Sequence, residues 1–290
     1  MSNQLPFLHR IRVRHATEYR YHQPVTFGPH RILVRPREGH DIRIVGGRVE
    51  IDPTPTMRFL RDVYGNSTAI FTFDQPADRL RIFIESELVY IRDNPFETLV
   101  DPAARFFPFQ YAPEEQVELV PYRLPSYPYD AATLVEWLQG LYEPGQRIET
   151  VELLERLNRH IFRSFRYASR ETAGVQLPSE TIARGSGSCR DFAVLMMEAA
   201  RQWGFAARFV SGYIQMGEGQ HGATHAWTEV YLPGAGWQGF DPTNDKLAGR
   251  EHIAVAVARA QEKAMPVSGS WFGPAEAFAG MDVSVEVARY

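Results

Sequence analysis

Between residues 8 and 91 the hydrophobic positions follow the two-residue period of a β-strand. Ile11, Val13, Thr17, Tyr19 and Tyr21 hold odd positions, and Arg10, Arg12, Arg14, Glu18 and Arg20 fall between them. Such a strand buries one face and wets the other. Further strands are predicted over 30–35, 42–51, 57–63, 68–73 and 80–91. Turn-forming residues separate several of them: Gly46-Gly47, Gly65-Asn66, and the stretch from Asp74 to Asp78 around Pro76. Six short strands with close turns predict an antiparallel β-sandwich-like domain over 1–92. Asn66-Ser67-Thr68 matches the glycosylation acceptor pattern, but directly after Tyr64-Gly65 it reads as a turn.

The pattern breaks over 93–128. Pro95, Pro102, Pro108, Pro113, Pro121, Pro125 and Pro128 crowd this region. Proline disfavours helix interiors and central strands, so a connector is expected. Phe96, Phe106, Phe107, Phe109 and Tyr111 need burial, which predicts a connector docked on the protein surface.

From 129 onward the period becomes helical. Leu134, Trp137, Leu138 and Leu141 recur at i, i+3, i+4, i+7, and Val151, Leu154, Leu157, Ile161 and Phe162 do similarly. A third helix is expected from about 189 to 203. Its apolar face carries Phe192, Leu195, Met196, Ala199, Ala200 and Trp203, and Gly204 ends it. Strands are predicted over 206–216, 224–232 and 237–241, with further β segments over 252–258 and 282–289. Helices followed by an antiparallel sheet predict an α+β domain over 129–290, with the C-terminal strands inside it.

Composition narrows the picture. The 290 residues suit about two domains. A single cysteine, Cys189, closes no internal disulfide and builds neither a cysteine-rich zinc site nor an iron–sulfur cluster. The formal charge of −4 does not call for a polyanion partner. Nine arginines against four acids in the first fifty residues read as the wet face of strands. The N-terminus has no apolar signal-like stretch, and no run approaches the length of a membrane span. A cytoplasmic protein with no membrane and no nucleic-acid partner is therefore expected.

The lone thiol sits in a pointed setting, Gly185-Ser186-Gly187-Ser188-Cys189-Arg190-Asp191-Phe192. Ser188 fits a helix N-cap and Asp191 completes a capping box, which makes Cys189 the first helical residue. Free N–H groups and partial positive charge at a helix start favour the thiolate over the thiol, whose ordinary pKa is about 8.5. A nucleophilic thiol needs a base, and the base needs an orienting group. In Thr224-His225-Ala226-Trp227-Thr228-Glu229, His225 shares a strand face with Trp227 and Glu229. The chain returns as Trp237-Gln238-Gly239-Phe240-Asp241-Pro242. A three-residue loop between the strands would set Asp241 opposite Trp227 and diagonal to His225, within reach of its imidazole.

Other motifs carry less. Gly217 to Gly222 spells G-x-G-x-x-G, but a strand follows it where a dinucleotide site needs a helix. His221 and His225 are spaced i, i+4, with no helix and no third ligand for a metal. Arg190 and Asp191 can pair beside the thiol, although a capping role for Asp191 is favoured. No cofactor and no metal are called for.

Four segments together carry a resemblance: Gly-Ser-Gly-Ser-Cys189-Arg-Asp-Phe-Ala, Ala207 to Tyr213, His225-Ala-Trp227-Thr-Glu-Val-Tyr, and Phe240-Asp241-Pro-Thr-Asn. In order and spacing, with His 36 residues after Cys and Asp 16 further on, the chain resembles the bacterial transglutaminase-like proteins, often called cysteine proteases. The first ninety residues, including the Asp62-to-Asn66 turn, resemble the β-rich N-terminal region of that family. The resemblance implies a papain-like core with Cys189 as nucleophile, His225 as general base and then acid, and Asp241 as orienting carboxylate. It implies acyl transfer on a peptide or protein substrate through a thioester. A peptidase or amidase is favoured, with a transglutaminase, a peptide ligase or a non-catalytic binding module as alternatives. The Cys189 N–H is the natural oxyanion donor, and Tyr167, Gln176 and Trp227 are candidates for a second. The tail departs from the family, with Ala258-Arg259-Ala260-Gln261 where a Gly-Arg-Asp-Tyr run is common.

Overall fold

The computed structural model describes residues 9–39, 41–91, 99–170, 172–215 and 223–290. The N-terminal strands are β1 (His9–Phe27), β2 (His30–Ile32), β3 (Ile42–Asp52), β4 (Thr56–Arg61), β5 (Ser67–Thr72) and β6 (Ala77–Tyr90). Alternation along β1 is as the sequence predicts, with Ile11, Val13, His15 and Thr17 buried. Its arginines face acids on neighbouring strands: Arg12 pairs with Glu87 at 3.0 Å, and Arg14 with Glu85 at 2.6 Å and Glu286 at 3.2 Å. Part of the local excess of positive charge is thus offset across the sheet.

Four longer strands build the second sheet: β7 (Ala207–Ile214), β8 (Ala223–Leu232), β9 (Gly236–Asp241) and β10 (His252–Ala258). Their order is β9-β8-β7-β10, antiparallel, with Lys246–Leu247 added at the β9 edge. The helices are α1 (Pro113–Arg123), α2 (Ala131–Trp137), α3 (Thr150–Ser164), α4 (Pro178–Arg184) and α5 (Cys189–Gln202). Helix α5 is the centre of the larger core, where Phe192, Leu195, Met196 and Ala199 meet Leu154, Leu157 and Ile161 of α3 and Phe209, Ala226 and Val230 of the sheet. Of the residues assigned by spacing to the apolar face of α3, Ile161 is fully buried but Phe162 is 46% exposed.

In two places the structure differs from the sequence reading. The segment 267–289 does not belong to a domain over 129–290. Val267–Ser268 pairs with β2, Trp271–Phe272 pairs with the end of β1, and β11 (Phe278–Arg289) runs antiparallel along β1 from Ile11↔Arg289 to Tyr21↔Phe278. Alternation reveals that a segment is a strand and which face it buries, but not which strand it joins. The connector also contains a helix, α1. Pro113 occupies its first turn, where a missing N–H costs nothing, and Glu114 and Glu115 suit the positive end. Pro121 falls in the final turn, so few helical bonds follow it. The connector is docked: Phe107 and Tyr111 are buried, and Tyr111 Oη accepts from the Ala206 N–H at 2.9 Å and donates to the Tyr231 carbonyl at 3.0 Å. Phe96 lies outside the described residues.

The two halves share an apolar interface. Ile11, Val13, Leu88 and Tyr90 of the N-terminal sheet pack on Tyr213, Ile253 and Val255 of β7 and β10. A polar clasp adds to it. Asn66, fully buried, donates from Nδ2 to the Val257 carbonyl at 2.8 Å and accepts the Val257 N–H at Oδ1 at 3.0 Å. Its amide therefore pairs with the open edge of β10 as another strand would. Asp62 holds the turn by accepting from the Tyr64 and Asn66 N–H groups, both at 2.9 Å. Asn66→Ala would leave both Val257 groups unpaired in the interior. It is expected to lower the free energy of unfolding by about 3 kcal/mol, measured by urea denaturation. Val63→Ala, at a neighbouring 92% exposed position, should change it by less than about 0.5 kcal/mol.

Candidate active site

Helix α4 ends on Gly185, whose φ of 60° is a left-handed conformation that glycine adopts without strain. Ser186–Gly187 then pairs in parallel with Arg166–Tyr167, and Ser188, extended, caps α5. The capping box is formed, and Cys189 is the first helical residue. Asp191 is fully buried. It accepts from the Ser188 N–H at 2.8 Å, Ser188 Oγ at 2.7 Å, the Gln176 N–H at 2.8 Å and Arg170 Nη1 at 2.6 Å. Burial opposes its charge, but these donors prevail and hold its pKa below the usual carboxylate value. The charged partner of Asp191 is Arg170. Arg190 turns elsewhere, to the Arg170 and Thr172 carbonyls. The thiol of Cys189 is half-buried on a scaffold fixed from several sides.

Strands β8 and β9 pair from Thr228↔Phe240 to Leu232↔Gly236, leaving residues 233–235 as the loop. This odd loop puts Asp241 on the face of His225 and Trp227. His225 Nε2 lies 2.8 Å from Asp241 Oδ2. Cys189 lies near enough to the same imidazole for its interaction to favour the imidazolium. With Nε2 turned to Asp241, Nδ1 is the nitrogen left for the thiol.

The Asp241 carboxylate has no solvent exposure. Oδ2 accepts from Asn244 Nδ2 at 2.8 Å and lies 2.9 Å from His252 Nε2 as well as 2.8 Å from His225. Oδ1 accepts the Thr243 N–H at 3.0 Å. Desolvation alone would raise its pKa, yet the two histidines and Asn244 outweigh it and the net shift is downward. His225 shows the mirror case. Burial disfavours its cation, but the bonds with Asp241 and Cys189 push its pKa up to about 10.

Residues 11–89 match the family described as Bacterial transglutaminase-like N-terminal region, and residues 143–242 match the Transglutaminase-like superfamily. An uncharacterized protein of Mycobacterium tuberculosis is 31% identical over 310 residues, spanning 100% of this chain and 96% of that one. The chain belongs to the transglutaminase-like superfamily. An uncharacterized protein of Mycobacterium leprae is 25% identical over 293 residues, with coverage of 97% and 99%. Among solved structures, a "putative cysteine protease" from Cytophaga hutchinsonii aligns with a TM-score of 0.72 at 17% identity, covering 97% of this chain and 90% of that one. That likeness bears on the fold, a papain-like core behind a β-rich N-terminal region.

In this transglutaminase-like core, Cys189, His225 and Asp241 come together, and sequence reasoning passed over two of their neighbours. Asn244, three residues past Asp241, was legible as part of the Asp-Pro-Thr-Asn turn. His252 had no signal beyond standing at a strand start. The candidates for a second oxyanion donor separate. Trp227 is buried and packs on Val210 and Val257. Gln176 Oε1 accepts from Thr181 Oγ1 at 3.0 Å behind the capping loop. Tyr167 is 54% exposed and close enough to Cys189 to feel its charge. His221 and the 217–222 run lie outside the described residues. In the tail, Arg259 binds the connector through the Pro121 and Pro125 carbonyls at 2.8 and 3.0 Å.

His225, Asp241 and His252 offer ligand atoms within 4.8 Å of one another, of types that zinc accepts. They already form a hydrogen-bonded chain, and the proton on His252 bears on this point below.

A folded-state pKa raised to about 10 gives His225 a stabilising contribution that is complete below its unfolded value near 6.5 and lost as pH rises through 10. The unfolding free energy of the wild type relative to His225→Gln is therefore expected to decline between pH 6.5 and 10, measured by urea denaturation at several pH values.

Proposed function

We propose that this chain is a thiol-dependent acyl-transfer enzyme acting on peptide or amide bonds through Cys189, His225 and Asp241, with hydrolysis as its normal outcome. One observation carries the reading: the only cysteine starts a capped helix, within reach of an imidazole whose far nitrogen is held by a buried carboxylate. The raised pKa of His225 supports an imidazolium at neutral pH, the charge state that a proton donor requires.

In the proposed reaction the Cys189 sulfur attacks the carbonyl carbon and a C–S bond forms. The oxyanion is met by the Cys189 N–H at the helix start. His225 gives its proton to the leaving amine, the C–N bond breaks, and a thioester remains. A water molecule then attacks the thioester carbon, losing a proton to His225, and the C–S bond breaks to release acid and thiolate. A primary amine in place of water yields a new amide, which is the transglutaminase or ligase outcome. Asp241 keeps His225 turned to the sulfur and offsets the imidazolium charge.

The test combines thiol alkylation across pH with a peptide and amide library read for hydrolysis and for incorporation of a primary amine. Alkylation well below pH 8, lost in His225→Ala, is expected. Cys189→Ala should abolish turnover with the fold intact, and Asp241→Asn should lower it by about a thousandfold or more. A wild-type thiol inert near pH 7 would overturn the enzyme reading and favour a binding module. Amine incorporation outrunning hydrolysis would assign a transferase.

A further inference from the structure

His252 is deeply buried, and its backbone is fixed at both ends. Its N–H donates to the Gly249 carbonyl at 2.8 Å, and its own carbonyl accepts from Tyr90 Oη at 3.1 Å. It stands on β10, with β7 between it and the strand of His225. Its ring meets the Trp227 ring edge-on, with centroids 5.1 Å apart, so the imidazole has little freedom to turn.

The two ring nitrogens have different partners. Nδ1 accepts the Gly249 N–H at 3.2 Å, and Nε2 lies 2.9 Å from Asp241 Oδ2. A nitrogen that accepts a hydrogen bond has its lone pair free, so Nδ1 carries no proton. The neutral ring's single proton is then on Nε2, pointed at the carboxylate. A metal at Nε2 would need the proton moved to Nδ1, where it would oppose the Gly249 N–H. The tautomer therefore speaks for a donor and against a ligand.

We propose that His252 is a positioning residue: its neutral imidazole donates Nε2–H to Asp241 Oδ2 and holds that oxygen against His225. This rests on the catalytic reading of Cys189, His225 and Asp241. The donor matters because Asn244 Nδ2 competes for the same oxygen and also lies 3.4 Å from His225 Nε2. Without His252 the carboxylate is free to turn toward Asn244 and loosen its hold on the imidazolium. His252 is thus matched by Asn244 on the other side, and together they leave Oδ2 one productive direction. The residue also links the halves of the molecule, since Tyr90 of β6 fixes its carbonyl.

The test measures iodoacetamide alkylation of Cys189 against pH in the wild type, His252→Leu and His252→Gln, with His225→Ala as reference. Loss of a hydrogen bond to a buried charge is expected to slow alkylation at pH 6 by about tenfold in His252→Leu. Gln, whose amide N–H reaches about as far as Nε2, should restore most of it. A purely structural role would not be rescued in this way. An unchanged profile in a folded His252→Leu, or equal loss in both variants, overturns the proposal. If His252→Leu does not fold, the nitrogen-15 shifts of the wild-type imidazole decide: a neutral Nε2–H ring at neutral pH is expected, and an Nδ1–H ring or a cation overturns it. Zinc ion added alone, bound stoichiometrically by the wild type and lost in both variants, would make His252 a ligand and also overturn the donor role. Failure of the enzyme reading looks different: the wild-type thiol would then alkylate as slowly as His225→Ala, while the tautomer of His252 remains measurable.

Discussion

A single buried carboxylate organises this molecule. Asp241 has no contact with water, and an uncompensated charge in such a place is costly. It is compensated by groups from separate parts of the chain: His225 on β8, Thr243 and Asn244 in the turn after β9, and His252 on β10. Each offsets part of the cost of burying the ion. Satisfying the charge therefore aligns three strands and a turn, and the imidazole facing the thiol is oriented as part of the same arrangement.

The thiol is placed by a second buried carboxylate, Asp191. The two anions have different surroundings and different consequences. Asp191 is held by backbone N–H groups, a hydroxyl and Arg170, so it fixes a loop and the first turn of α5. Asp241 contacts two imidazoles, so its charge is passed to a titrating group. One acid shapes the backbone around Cys189 and the other shapes the proton inventory of its neighbour.

What the sequence disclosed was what local rules govern. The capping box of Ser188 and Asp191 is a four-residue signature, and the parity that brings Asp241 to the face of His225 follows from a three-residue loop. The period of two along β1 was equally local. What stayed hidden depends on partners distant in the chain. Nothing in the alternation of 278–289 says that its neighbour is β1, more than 250 residues earlier. The density of prolines masks helix α1, because a first-turn proline is harmless. His252 carries no local signal because its partner is a lateral neighbour, across β7, that strand order alone reveals.

The pairing of β11 with β1 has a consequence in time. During synthesis β1 and its partner β6 are made well before 278–289, the neighbour of the other edge of β1. During that interval the whole thiol-bearing half is synthesised while residues 11–21 of β1 await the partner of their second edge. The N-terminal sheet thus spans the synthesis of the thiol-bearing half. The nascent protein thus passes through a stage in which an unpaired strand edge is open to wrong partners, a window that chaperones or rapid translation up to 289 would need to cover.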